Sequence, residues 1–259
     1  MNQSEKRAFL IQALLKERPE YSDVAMPQSA ADQRELLRGL MNIRAPRTVD
    51  NAVLQVQDEY LKDETAAKGI TDIDDLKPVQ PGLYIRQGDI TTLKCDAIVN
   101  AANSGLTGCY IPNHRCIDNA IHTFAGMELR LACGELMARQ GHPEPTGQAK
   151  ITPAFNLPCR YVLHTVGPII DGSVTKRDEA LLASCYRSCL ELAADNGLES
   201  VAFCCISTGE FHFPKEEAAV IAVRAVKDFM TKQISVRRVI FNVFKSSDEE
   251  IYRRLLGAD

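Results

Sequence analysis

Ala97-Ile98-Val99-Asn100-Ala101-Ala102-Asn103 is the stretch on which the reading turns: three apolar residues, two of them β-branched, run into two asparagines separated by alanines. The pattern predicts a short buried strand that stops at a polar turn. Stretches of the same kind flank it. Leu83-Tyr-Ile-Arg86 comes before, and Tyr161-Val-Leu-His-Thr-Val166, Val201-Ala-Phe-Cys-Cys-Ile206 and Arg238-Val-Ile-Phe-Asn-Val-Phe244 come after. Helical patterns separate them at about 116–139, about 177–196, 215–230 and 248–256, with Pro214 at the first turn of the third. Strands alternating with helices predict an α/β layer fold around a mainly parallel sheet.

Residues 1–80 have a different texture. Leu10, Ala13, Leu14 and Glu17 keep helical spacing until Pro19, and Ser29-Ala-Ala-Asp32 resembles a capping box ahead of Leu36, Leu37, Leu40 and Met41. A third helical pattern runs from Thr48 to Lys68, with Gly69 as its stop. The expected organisation is a helical N-terminal extension over 1–80 and an α/β domain over 82–257.

The formal net charge of -4 argues against a general nucleic-acid binder, which needs a basic surplus. No apolar run reaches the roughly 20 residues of a membrane helix, and the amino-terminal stretch has no basic-then-apolar leader pattern, so cytoplasm is the expected location. Nine cysteines, an odd number scattered through the chain, do not suggest a secreted disulfide framework. Cys185, Cys189, Cys204 and Cys205 read as small buried hydrophobes.

In open α/β sheets, ligands sit beyond the carboxyl ends of the strands, and the polar residues with chemical potential cluster there. Asp89, after the first strand, can accept from an exocyclic amine. Asn103 offers a donor and an acceptor to ribose hydroxyls. The turn Ser207-Thr208-Gly209 leads towards a helix and could present backbone N–H groups to a diphosphate, with Phe211 covering a ribose or base.

Taken in order, Gly88-Asp89-Ile90-Thr91, Asp96-Ala-Ile-Val-Asn-Ala-Ala-Asn103, His164-Thr-Val-Gly-Pro168 and Ser207-Thr-Gly-Glu-Phe211 resemble the macrodomain family over about residues 82–257. The resemblance implies a three-layer α/β/α sandwich with a mixed, mainly parallel sheet, and ADP-ribose as ligand. It places Asp89 and Ile90 at the adenine, Asn103 at the distal ribose, and Ser207, Thr208, Gly209, Glu210 and Phe211 around the diphosphate. Ile117, Asp118 and Asn119 match the end of the family's catalytic motif, with Asp118 where the catalytic aspartate sits; His164 reads as structural.

The chain departs from the family between Asn103 and His122, where a glycine-rich loop is replaced by Cys109, His114 and Cys116. Two thiolates and an imidazole spaced C-x4-H-x-C suit tetrahedral zinc (Zn2+), one per chain, and three protein ligands leave one position open. His122 as a fourth ligand would close the site, but it matches a residue of zinc-free relatives. The combination is similar to a zinc-containing macrodomain subgroup with a helical N-terminal extension. Members of that subgroup remove mono-ADP-ribose from proteins and occur with a sirtuin-type transferase and a lipoylated glycine-cleavage-H-like carrier. The expected function is zinc-dependent hydrolysis of a mono-ADP-ribosyl–protein bond, with Asp118 and Asn103 as catalytic residues. Deacetylation of O-acetyl-ADP-ribose, a non-catalytic ADP-ribose reader and a structural zinc protein are the rival readings.

Overall fold

The computed structural model describes the chain except for Ser22, Gln233, Ile234 and Asp259. A short parallel pair, β1 (Thr71–Asp72) and β3 (Leu93–Lys94), lies beside a six-stranded sheet. That sheet comprises β2 (Leu83–Gln87), β4 (Ala97–Ala101), β5 (Ala149–Pro153), β6 (Tyr161–Thr165), β7 (Ser200–Phe203) and β8 (Arg238–Val243). Its order is β2-β8-β7-β4-β6-β5, and every pairing is parallel except that of β5 with β6. The central strands β4, β7 and β8 are buried almost throughout, which is why they read as continuous apolar runs rather than alternating ones.

Helices cover both faces. α4 (Ile117–Ala125) and α5 (Met127–Gln140) contact β4 and β5, while α6 (Lys176–Asp195), α7 (Lys215–Met230) and α8 (Ser246–Leu256) pack in succession along the sheet. The result is the expected three-layer α/β/α sandwich with a mixed, mainly parallel sheet.

Three local readings change. The helix expected over 116–139 is two helices, broken at Gly126. Gly126 has φ 99°, and a Cβ there would sit 2.7 Å from Gln57 Nε2 and 3.0 Å from Asn156 Nδ2. Only glycine fits that turn. The strand expected over 201–206 ends at Phe203, so Cys204 and Cys205 lie in the turn that follows; Cys185, Cys189 and Cys204 are buried as expected, and Cys205 is half-buried. The edge strand β5 was not foreseen, because Ile151 is its one strongly apolar residue and Pro153 closes it.

The N-terminal helices are α1 (Gln3–Lys16), α2 (Ala30–Ile43) and α3 (Asn51–Lys68). Side chains at their N-caps explain where they start: Asn2 and Glu5 make a reciprocal capping box, Ser29 Oγ accepts from the Asp32 N–H, and Asp50 accepts from the Ala52 N–H. Leu10, Ile11 and Leu14 meet Leu37, Leu40 and Met41 and Tyr60 and Leu61 in a separate small core, into which α5 inserts Met127. Polar ties cross the same boundary. Gln57 Oε1 accepts from the Met127 N–H at 2.8 Å, and Asn42 Nδ2 donates to Thr123 Oγ1 at 3.0 Å. The α5 guanidinium of Arg130 donates to the carbonyl oxygens of Asn42 and Arg44.

Removing these helices would expose the Met127 side of α5 and orphan Arg130 and the Met127 N–H. Each buried group left unpaired costs about 1–3 kcal/mol, and in a domain this size 1 kcal/mol moves Tm by roughly 2–4 °C. A chain beginning at Lys77 is therefore expected to melt roughly 5–10 °C below the full chain in a calorimetric scan. Equal melting temperatures would contradict the docking.

Candidate active site

The sheet order places β2, β8, β7 and β4 side by side and parallel, so their carboxyl ends form one row. With strands about 4.8 Å apart, that row runs roughly 14 Å from the end of β2 to the end of β4. Asp89 stands at the first end, Asn100 and Asn103 at the other, and the 207–211 turn follows β7 between them.

At the β2 end, Asp89 caps a 3₁₀ turn at Ile90–Thr92, with Ile90 buried beneath it. Oδ1 accepts from the Thr91 N–H (2.9 Å) and hydroxyl (2.6 Å), while Oδ2 pairs with Lys68 Nζ from α3 at 3.0 Å. Burial pushes the Asp89 carboxyl up, but the Thr91 hydroxyl and the Lys68 ammonium outweigh it and hold the group below its usual range. Lys68 also lies 3.0 Å from the centre of the Phe124 ring.

At the β4 end, Asp118 sits on the first turn of α4, almost fully buried. Asn100 Nδ2 donates to its Oδ1 at 2.8 Å and Asn103 Nδ2 to its Oδ2 at 3.2 Å. Cys116, not Asp118, caps the helix: its Sγ accepts from the Asn119 N–H. Proximity to the helix N-terminus argues for a readily ionised carboxyl. Burial outweighs it and pushes Asp118 up to about 6, against the pull of the two amides and Arg130.

Behind Asp118, Asn100 Nδ2 also donates to His164 Nδ1 at 3.2 Å, and His164 Nε2 reaches Thr152 Oγ1 at 2.9 Å. With Nδ1 accepting, Nε2 carries the proton, and burial pushes His164 down to about 3 and keeps it neutral. His122, Cys133 and His164 lie close enough together to suggest a metal, but His164 has no free lone pair for one. His164 is structural in the sense that it orients the amide holding Asp118.

Between the two ends, the 207–211 turn has Ser207 at φ 64°, with its hydroxyl buried and without a hydrogen-bond partner among the described residues. The N–H groups of Gly209, Glu210 and Phe211 donate to no protein acceptor among the described residues, which leaves an anion-ready run of donors. Thr208 Oγ1 turns back to the Cys205 carbonyl, and Phe211 is half-exposed. Asn119 turns away from the row. Its buried side chain accepts from Arg38 of α2 and donates to the Ile111 carbonyl. Ile117, next to it, is half-buried at the start of α4.

Cys109, His114 and Cys116 converge from the loop between Asn103 and α4, with their ligating atoms all within 4.8 Å of one another. Cys109 Sγ stands 3.5 Å from His114 Nδ1. Zinc bonds of about 2.3 Å to sulfur and about 2.0 Å to nitrogen, set at the tetrahedral angle, separate the two ligand atoms by roughly 3.5 Å. The donor set therefore fits zinc in type and spacing. His114 Nε2, the nitrogen facing away, lies 3.5 Å from Glu210 Oε1, the outward carboxylate partner common for a ligating histidine. His122 does not join this trio; it is buried on α4, 3.6 Å from Asp118.

A Macro domain profile matches residues 99–222. A protein-ADP-ribose hydrolase of Treponema medium is 56% identical over 99% of this chain and 100% of its own length. The chain belongs to the macrodomain family. A protein-ADP-ribose hydrolase of Staphylococcus aureus strain MSSA476 is 48% identical, over 97% of this macrodomain protein and 95% of the relative. A mutant macrodomain of Oceanobacillus iheyensis, solved with ADPR, superposes with a TM-score of 0.64 and 38% identity, over 70% of this chain and 96% of its own.

Four residues escaped the sequence reading. Asn100 was legible as the first asparagine of the Asn-Ala-Ala-Asn turn. Phe244, 74% exposed just beyond β8, stands on the same row of carboxyl ends and was visible as a large apolar residue. Lys68 and Arg130 gave no signal, because their partners are remote in the chain.

The geometry of the Cys/His loop of this macrodomain depends on Gly108, at φ 83°, where a Cβ would come 2.7 Å from His122 Cγ and 2.9 Å from Arg130 Nη2. Gly108→Ala is expected to cost about 1–3 kcal/mol, from backbone strain and overpacking together. The check is a lower urea midpoint at unchanged slope; an unshifted midpoint would mean that the loop is not packed as described.

Proposed function

We propose that this macrodomain is a zinc-dependent hydrolase that removes mono-ADP-ribose from modified protein side chains. One observation carries the reading: a buried carboxylate, Asp118, is held by two asparagine amides at the end of the strand row, on the helix that Cys116 of the trio caps. A ligand-binding module without chemistry needs neither that carboxylate nor three metal-ligand side chains. The relatives named protein-ADP-ribose hydrolase support the same direction.

In this reading Asp89 and Ile90 take the adenine, the 207–211 turn takes the diphosphate, and the distal ribose lies between Asn103 and Asp118. Asp118 orients the attacking water and accepts its proton, while Asn103 both positions the ribose and fixes the carboxylate. Cys109, His114 and Cys116 would hold the zinc, which supplies Lewis acidity beside the distal ribose. Water is the second substrate; ADP-ribose and the free side chain are the products. The proposal includes the division of the chain into an extension over 1–80 and a macrodomain over 82–257. It also takes in a cytoplasmic setting, with the lipoylated carrier modified by a sirtuin-type transferase as the protein substrate that the resemblance names.

The test is release of ADP-ribose from a mono-ADP-ribosylated protein, with and without a chelator. Activity lost to the chelator and restored by zinc is expected. Wild-type protein that binds ADP-ribose yet releases none from any modified protein would make it a reader. Elemental analysis is expected to give one zinc per chain, lost in Cys109→Ala, His114→Ala and Cys116→Ala; stoichiometric zinc in all three variants would remove them as ligands. Asp118→Ala should keep zinc and ADP-ribose binding and lose on the order of 100-fold or more in rate. Its stability should fall too, since the Asn100 and Asn103 amides lose their acceptor. Normal turnover in that variant would strip Asp118 of its role. Asp89→Ala is expected to weaken ADP-ribose binding by about 1.5–3 kcal/mol in titration calorimetry, the worth of a hydrogen bond to a charged group. Unchanged affinity would place the adenine elsewhere.

A further inference from the structure

The loop that carries Cys109, His114 and Cys116 contains no helix or strand between Ala102 and α4, and it passes through positive φ at Leu106, Gly108 and Asn113. Local bonds fix its first part, where Asn103 Oδ1 accepts from the Gly105 N–H and Asn103 Nδ2 donates to the Gly108 carbonyl, but without regular secondary structure the rest of its shape depends on anchors from outside. Two of its outside anchors are side chains of α2. Asn42, 1% exposed, uses both ends of its amide: Oδ1 accepts from the Asn113 N–H at 3.0 Å, and Nδ2 donates to Thr123 Oγ1 of α4 at 3.0 Å. Arg38, one helical turn earlier, donates from Nη2 to the His114 carbonyl at 3.1 Å and grips Asn119 Oδ1 with Nε and Nη2. The α2 side chains therefore hold the Pro112–Asn113 and His114–Arg115 peptide units, which lie on either side of His114, and they reference them to the helix that Cys116 caps.

We propose that α2 is a positioning element for the metal loop, with Asn42 the residue that sets the loop's geometry before metal arrives. The inference rests on the zinc reading of Cys109, His114 and Cys116. A preorganised loop binds metal without first losing the conformational freedom of several residues. Partners lying behind the ligands typically matter about 10–100-fold in metal affinity. The hydrogen bonds of the Asn42 side chain go to Asn113 and Thr123, and its backbone carbonyl, which accepts from Arg130, is kept in an alanine variant.

General docking of the N-terminal helices provides the control. Gln57 is as buried as Asn42 and ties α3 to the Met127 N–H, but none of its bonds reaches the loop. Full-length protein stripped of metal is titrated with zinc in competition with a chromophoric chelator, for wild type, Asn42→Ala and Gln57→Ala, and the metal-free melting temperature is recorded for each. Both variants are expected to melt earlier than wild type. Asn42→Ala is expected to bind zinc at least about 10-fold more weakly, while Gln57→Ala stays within about 2-fold of wild type. Equal zinc affinity in Asn42→Ala and wild type would overturn the proposal, and so would an equal loss in Gln57→Ala, which would make the effect one of general undocking. If Asn42→Ala does not fold, Arg38→Ala, at a half-buried position, takes its place with the same expectation and the same overturning result. Wild-type protein that binds no zinc would overturn the zinc reading itself, and this inference with it.

Discussion

The Arg130 guanidinium is the point at which the parts of this molecule meet. It lies buried on α5, donates to the carbonyl oxygens of Asn42, in the last turn of α2, and Arg44, its C-cap, reaches the Cys109 carbonyl at 3.3 Å, and stacks on Tyr110 at 4.3 Å. A buried cation without partners would cost several kcal/mol. Here the carbonyl dipoles and the Asp118 carboxylate offset that cost, so the charge holds the N-terminal helices, the Cys/His loop and the carboxyl end of the sheet in one arrangement. Taking away any one of them leaves the guanidinium undersatisfied.

The same arrangement accounts for the state of Asp118. Burial raises its pKa, whereas the Asn100 and Asn103 amides and the nearby Arg130 charge pull it back towards ionisation. Asn100 can do this because neutral His164 accepts its second amide hydrogen, and His164 is fixed in turn by Thr152 of β5. The geometry of a single carboxylate thus depends on side chains from β4, β6 and β5. At the opposite end of the row, Asp89 is held ionised by Thr91 and Lys68, so the two acidic groups of the candidate site differ through their surroundings.

Much of this was legible in the chain. Parallel strands buried on both faces leave continuous apolar runs, and the polar residues that follow those runs mark the carboxyl edge of the sheet, where ligands sit in open α/β folds. That logic singled out Asp89, Asn103 and the 207–211 turn, which the fold sets along one row, and the C-x4-H-x-C spacing singled out the trio, which the fold brings together. Contacts between distant segments were not legible. Gly126 breaks the helix expected over 116–139 because Gln57 comes close to it from α3, and no local signal announces that approach. Arg130, Lys68, Asn42 and Arg38 read as ordinary helix residues until their partners, at least 21 positions away in the chain, are known. Asn119 matched a motif, yet its side chain faces α2, because a motif fixes backbone position and not where a side chain points.

In the proposed reading an elongated dinucleotide-like ligand lies along the row from β2 to β4, with its reacting end at Asp118 and the Cys/His loop. The decisive measurement is a crystal structure with ADP-ribose, recorded above the zinc absorption edge. Adenine is expected at Asp89, the diphosphate on the 207–211 turn, the distal ribose beside Asn103 and Asp118, and an anomalous peak between Cys109, His114 and Cys116. Density with the distal ribose at Asp89, or an anomalous peak away from those three side chains, would contradict that reading.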